Sequence, residues 1–334
     1  MRRLILTTLG LAVACSAQAF DRIPKKDGFS GYAYLGASAN RMESNTVATL
    51  AGTDVSDSHI DSLNSSPDSK SFSKIVPAFG LSYKLQGSRT EFFGGTELED
   101  FLTQDGTLAL GVRQGIGHLG NISASLLAST PVEVWEDPYL VNGKRKETDR
   151  TSSGARMSWE HIFESGFDVT YTHRKIDIDD EDSGEALGLS SAQRKLLDRE
   201  GDENKLDVRY VWGIGRDHIV IPTLSYINRD LDGDAMAMDG YQMELNYAYT
   251  GFDRWELVTN LTAGHLESDD RNPIYDKKAD LDRMGISFAA TYKEPFGMKN
   301  WRARVVANYG EEDSNIDFYD TSIKSLSLGM LYNF

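Results

Sequence analysis

Apolar and polar positions alternate with a period of two along nearly the whole chain. Phe29, Ala33, Leu35 and Ala37 take turns with Ser30, Tyr34, Gly36 and Ser38. Tyr241, Met243, Leu245 and Tyr247 do so with Gln242, Glu244 and Asn246, and Met284, Ile286 and Phe288 with Gly285 and Ser287. A strand points successive side chains to opposite faces, so each run predicts a strand with one greasy and one polar face. The runs are roughly 9–12 residues long, enough for a tilted strand to cross a hydrocarbon layer. Fourteen strands are expected, with twelve as the alternative. They lie near 28–41, 74–85, 90–101, 106–116, 121–132, 151–162, 167–177, 205–213, 218–228, 240–249, 255–265, 284–293, 301–309 and 322–334. The 90–116 hairpin is the weakest, because Glu91, Glu97, Glu99 and Asp100 crowd it and no clean apolar face emerges. Pro77 and Pro222 lie inside expected strands, where each removes a ladder hydrogen bond, and are read as strand ends or bulges.

A water-soluble sandwich shows the same alternation, and connection length separates the two. Short connections fall near 86–89, 117–121, 164–166, 213–217, 250–254 and 294–300. Long ones fall near 42–73, 133–150, 177–204, 229–238, 266–283 and 310–322. A sandwich has no reason to lengthen every second loop, whereas a membrane barrel has turns on one side and loops on the other. Trp159, Phe163, Phe167, Trp212, Tyr249, Trp255, Tyr292, Trp301, Tyr332 and Phe334 lie beside the short turns, and Tyr226, Tyr241, Tyr309 and Trp135 at the long-loop ends. Two belts of amphipathic rings mark two interfaces. Beyond the first 19 residues no apolar run is long enough for a spanning helix. The fold class expected is therefore all-β, a closed antiparallel transmembrane β-barrel occupying residues 20–334 as one domain.

The two ends carry targeting information. At the last strand Leu326, Leu328, Met330, Tyr332 and Phe334 form one face, and the chain stops on Phe334. This resembles the closing strand of bacterial outer-membrane barrels, which implies that Tyr332 and Phe334 are read by the barrel-assembly machinery. Residues 1–19 read as a secretory signal: Arg2 and Arg3, then an apolar stretch from Leu4 to Ala14, then Ala17-Gln18-Ala19 as the cleavage pattern at Ala17 and Ala19. Leu11-Ala12-Val13-Ala14-Cys15 resembles a weak lipobox, a rival reading with Cys15 as a lipidated amino terminus. Cys15 is the only cysteine, so cleavage after Ala19 leaves no disulfide, thiolate metal site or cysteine nucleophile. Losing Arg2 and Arg3 leaves 33 of the 35 Lys+Arg against 51 Asp+Glu, a net −18. Such a chain repels phosphates, so nucleic acid is not an expected partner.

Parity selects the candidate interior residues. Lys293, Arg302, Arg304 and Lys324 come from the last three strands, Glu244 and Glu256 from the two before, and Asp207 and Arg209 from the middle. Opposed rows of charge in a water-filled pore order water and select polar solutes. Asp168, Arg156 and Glu160 are further inward members; the rival reading is that all these charges pair and fill a closed lumen. The first long loop, 42–73, reads as solvated, being rich in Ser, Thr, Asn and Asp. In the loop at 177–204, Ser190 and Gln193 form a capping box opening a helix of about two turns. That helix lies over the pore, folds into it or decorates the outside. Asp230-Leu231-Asp232-Gly233-Asp234 fails the calcium-loop pattern, since Ala235 and Tyr241 stand where Gly and Glu are needed. No metal ligands and no cofactor are expected. The six histidines, His59, His118, His161, His173, His218 and His265, have no Ser or Asp at barrel-hydrolase spacing, so no catalytic residues are expected.

With the signal, the Gly31-Tyr32-Ala33-Tyr34-Leu35-Gly36 first strand and the Met330-Leu331-Tyr332-Asn333-Phe334 end, the chain resembles an uncharacterised family of Gram-negative outer-membrane proteins, a domain of unknown function. The resemblance implies barrel and location but no substrate. The function expected is a porin-like outer-membrane channel for passive diffusion of small polar solutes. The alternative is a non-conducting barrel acting as receptor, adhesin or structural element through acidic extracellular loops; a lipid-active enzyme comes third. Fatty-acid import needs an apolar path that the inward charges oppose. The partners expected are outer-membrane lipid and lipopolysaccharide, the assembly machinery and small polar solutes.

Overall fold

The computed structural model describes residues 23–24, 26–50, 52–100 and 105–334. The expected leader with Cys15, Ala17 and Ala19 lies outside the described residues. The remainder is a closed antiparallel barrel of 14 strands. These are β1 Gly28–Glu43, β2 Ser69–Lys84, β3 Thr90–Asp100, β4 Asp105–Gly115, β5 Asn121–Ser129, β6 Glu147–Glu160 and β7 Phe167–Ile178. Then follow β8 Gly201–Tyr210 (continued by Trp212–Ile214), β9 His218–Leu231, β10 Met238–Tyr249, β11 Trp255–Asn272, β12 Lys277–Lys293, β13 Trp301–Ser314 and β14 Thr321–Asn333. Each strand pairs with its sequence neighbours, and β14 closes on β1 from Tyr32↔Asn333 to Glu43↔Ser322. The last residue completes the seal: Gly31 N–H donates to the Phe334 carbonyl at 3.1 Å and Phe334 N–H to the Gly31 carbonyl at 3.0 Å.

The pleat sorts the side chains as the alternation predicts. Leu35, Ile75, Leu110, Leu126, Met157, Met243, Met284 and Leu328 stand exposed on the outer face. A water-soluble protein does not present so wide an apolar band, whereas a lipid-facing wall requires it. At the short-turn end rings pair across strands: Phe29 with Tyr83 at 4.6 Å, Phe167 with Tyr210 at 4.7 Å, Trp255 with Tyr292 at 4.9 Å and Trp301 with Tyr332 at 5.1 Å. Trp135 departs from the expected second belt. It is buried among the loops, with the Arg145 guanidinium 4.4 Å above its ring.

The two prolines fall where the ladder is interrupted. Among the described residues the β2–β3 pairing runs only from Gly80↔Gly95 to Lys84↔Glu91, so Pro77, Ala78 and Phe79 have no ladder partner on that side. Phe79 N–H turns toward this seam, bonding Thr96 Oγ1 at 3.1 Å. Pro77, two residues earlier, therefore aims its ring nitrogen at the same unpaired edge and removes no bond. Pro222 stands opposite the break between Tyr210 and Trp212.

The long-loop side is more ordered than its composition suggests. Residues expected to be loop at 266–283 extend the β11–β12 hairpin instead. In the first loop Val47, Leu50 and Val55 are buried with Met42, Phe72, Val132, Val134 and Ile178. The reading of that loop as solvated is thus corrected: sparse apolar residues meet those of the second long loop and form a core. The capped helix is present but shorter than expected, Ser191–Lys195, with the Ser190–Gln193 box intact. Leu197, just after it, is fully buried with Tyr139, Leu266, Ile316 and Phe318, so this segment belongs to a cap of packed loops.

Candidate functional site

The barrel interior is a set of buried ion pairs, built because same-parity residues on adjacent strands face the same way. Arg113 on β4 lies between Glu91 on β3 at 2.8 Å and Glu160 on β6 at 2.9 Å. Arg156 meets Glu97 at 2.6 Å, Arg209 meets Asp168 at 3.0 Å, and Arg283 meets Glu312 at 2.7 Å. Glu203 accepts from both Arg174 at 2.8 Å and Arg229 at 2.9 Å. Charges removed from water are tolerated when opposite charges and hydrogen bonds replace the lost hydration.

The expected interior residues divide in four ways. Lys293, Arg302 and Glu256 come together: the carboxylate takes Lys293 Nζ on one oxygen and Arg302 on the other, each at 2.9 Å. Asp207, Arg209 and Glu244 face inward but serve other partners. Asp207 accepts from Ser225 at 2.6 Å and Lys205 at 3.3 Å, Arg209 pairs with Asp168, and Glu244 accepts from Gln242 at 2.8 Å. Lys324 is a correction. It shares parity with Leu326 and Leu328, is exposed on the outer wall, and sets its ammonium 5.4 Å from the Tyr309 ring. Arg304 faces inward, is 2 % exposed, and has no hydrogen-bond partner for Nε or Nη2. The hairpin at 90–116, expected to show no clean apolar face, is corrected: it turns Phe92, Leu108, Leu110 and Val112 outward and Glu91 and Arg113 inward, and the alternation of those charges with apolar residues is the sequence signal for the Glu91–Arg113–Glu160 triad.

Two apolar clusters interrupt this polar interior toward the short-turn end. Ala248, Val258, Ala289 and Val306 form one across β10–β13. Tyr34, Ala78 and Leu331, with Tyr32 and Val76, form the other across β14, β1 and β2. The Tyr34 ring lies against Gly36 and Gly329, where any Cβ would collide with it.

Polar latches hold the loop cap over the opposite end. Asp137 accepts from the Tyr139 and Gly184 N–H groups, both at 3.0 Å, and from Ala186 N–H at 2.9 Å, tying the second long loop to the third. Arg145 donates to the Asn45 carbonyl at 2.8 Å, to Pro138 at 3.2 Å and to Asp57, and burial pulls its guanidinium down to about 10. Tyr139 and Tyr319 share a hydrogen bond of 2.6 Å, and burial pushes the Tyr139 phenol up to about 12. Burial also raises the Glu181 carboxyl, though Arg199 lies 2.7 Å away. Beside the cap a polar cavity of about 240 Å³ is lined by Asn45, Asp57, His59, Asp61 and Asp68 among others. On the outer wall His265, read from sequence only as an outward residue, lies 2.9 Å from Asp282 and 3.4 Å from Asp280.

A family profile described as a protein of unknown function, DUF2860, matches residues 28–333. A search of curated proteins gave no match. Among solved structures, a CymD monoaromatic hydrocarbon channel superposes with a TM-score of 0.51 at 10% identity, covering 92% of this chain and 89% of that one. The toluene transporter TodX of P. putida gives 0.48 at 10% identity over 95% and 91%. The outer membrane channel DcaP of Acinetobacter baumannii gives 0.44 at 13% identity over 94% and 99%. At 10% identity the CymD superposition speaks to the fold alone, that of a barrel channel.

Proposed function

Because the chain belongs to the DUF2860 family, whose function is unknown, we propose from its own residues that it is an outer-membrane channel passing small polar solutes through a loop-capped lumen. The supporting observation is the division of the wall: exposed apolar residues outside, and Arg, Lys, Glu and Asp side chains on the inner face of the same strands. Fourteen strands exceed the roughly eight whose interior side chains alone fill. The expected leader and the Phe334 terminus fit export through the periplasm, recognition by the barrel-assembly machinery and residence in the outer membrane of a Gram-negative bacterium. The packed loops favour a selective conduit over a general sieve. Proteoliposome swelling tests this reading: small polar solutes enter faster than into protein-free vesicles, and equal rates with folded protein contradict it.

The β2–β3 seam favours a second reading, passage of apolar solutes. An edge without ladder partners is where such a solute would leave the interior for the bilayer. The superposed hydrocarbon channel is compatible with it, and Ile75 and Phe79 face lipid beside that edge. Uptake of a toluene-like solute that stops when a disulfide staples β2 to β3 would select it.

A further inference from the structure

Among the described residues, buried arginines have partners, with one exception. Arg113, Arg174, Arg209, Arg283 and Arg199 meet carboxylates, and Arg145 meets carbonyls. Among the described residues, Arg304 is the buried arginine with neither, its Nε and Nη2 both unbonded. Its nearest carboxylate by register is Glu256, level with it through Thr291, but that group is bonded to Lys293 and Arg302. An unpaired buried guanidinium is costly and calls for an anion.

The surroundings say what kind. Along β13 the next inward residue is Val306, part of one apolar cluster. Across the sheet Arg304 lies level with Gly329 and Gly36, whose missing side chains leave space that the Tyr34 ring and hydroxyl fill, so the Tyr34 and Tyr32 phenols are its polar neighbours and a ligand reaches it by moving the Tyr34 ring. Tyr34 and Leu331 belong to the other cluster. A guanidinium with two unbonded nitrogens, beside two tyrosine hydroxyls and between two largely apolar clusters, matches a carboxylate carried on an apolar body: the planar guanidinium bonds both oxygens while the body displaces water from the walls.

We propose that Arg304 is a binding site for the carboxylate of an amphipathic organic acid inside the barrel. The proposal rests on the channel reading for the route and names its solute class. Binding is read apart from transport, as the shift in unfolding temperature of the purified full-length protein in detergent with benzoate, acetate or inorganic phosphate. Benzoate stabilises the wild type at lower concentration than acetate or phosphate. Arg304→Met weakens this ~10- to 100-fold, the scale of losing charge-assisted hydrogen bonds. Arg304→Lys retains part of it, which keeps the test usable if the methionine variant does not fold. Val306→Thr, nearly equal in shape, narrows the preference for benzoate over acetate. Arg304-dependent binding of phosphate alone overturns the apolar-body assignment, and benzoate binding unchanged in Arg304→Met overturns the site. Planar bilayers separate the two levels. Current that benzoate neither blocks nor alters leaves the channel and removes the site; silent bilayers with an Arg304-dependent thermal shift leave the site and remove the channel.

Discussion

Arg113 shows what parity does at the scale of one residue. Its guanidinium bridges Glu91 and Glu160 because β3, β4, β5 and β6 bring same-face positions to one level, and all three groups are buried. Arg113→Met leaves two carboxylates without their cation, a loss of about 3–5 kcal/mol. The expected result is a folded fraction that falls at lower denaturant, followed by the heat-dependent gel mobility of the barrel; wild-type behaviour would show the triad to be dispensable. Parity made Lys293, Arg302 and Glu256 legible as interior residues, though not that one carboxylate holds both cations. Lys324 fails because the expectation weighs charge above parity. Near the rim a long ammonium stem lies along the outer wall and its charge reaches the polar zone. The buried position of Trp135 was not legible, since burial there comes from Arg145 and the first loop, distant in sequence.

At the scale of elements, strands were legible and loops were not. Strand positions follow from a two-residue period that nearest neighbours set, whereas the cap depends on which loops meet. The cap yields two predictions. Asp137 satisfies three backbone donors from two loops, so Asp137→Ala leaves them unbonded at a cost of about 1–3 kcal/mol. Limited proteolysis between 130 and 200 then accelerates while the barrel stays intact. The second concerns pH. Tyr139 keeps its proton in the folded cap up to about 12, against an ordinary value of 10. Between those values the unfolded loop binds fewer protons than the folded one, so cap stability falls as pH rises through that window. Tyrosinate absorbance should therefore appear late and together with loop cleavage; full ionisation near pH 10 with the cap closed contradicts this. The β2–β3 seam gives a third. The amide group of Ala78 faces β1 and that of Phe79 faces the seam, where it bonds a side chain and not a strand, so hydrogen exchange is faster at Phe79 than at Ala78.

Over the whole molecule, one sequence pattern produces two solvents' worth of surface. Outward residues meet hydrocarbon, inward ones enclose charge, and the loops close over one end. Alternating loop length already separated this barrel from a sandwich, because only a membrane distinguishes one side of a sheet from the other. The central claim is that the enclosed space conducts. Single-channel recording of the folded protein in planar bilayers tests it most directly. The account predicts discrete ohmic steps that grow when the cap is loosened by Asp137→Ala. Bilayers that hold folded protein and stay silent, with the cap intact or loosened, would contradict it.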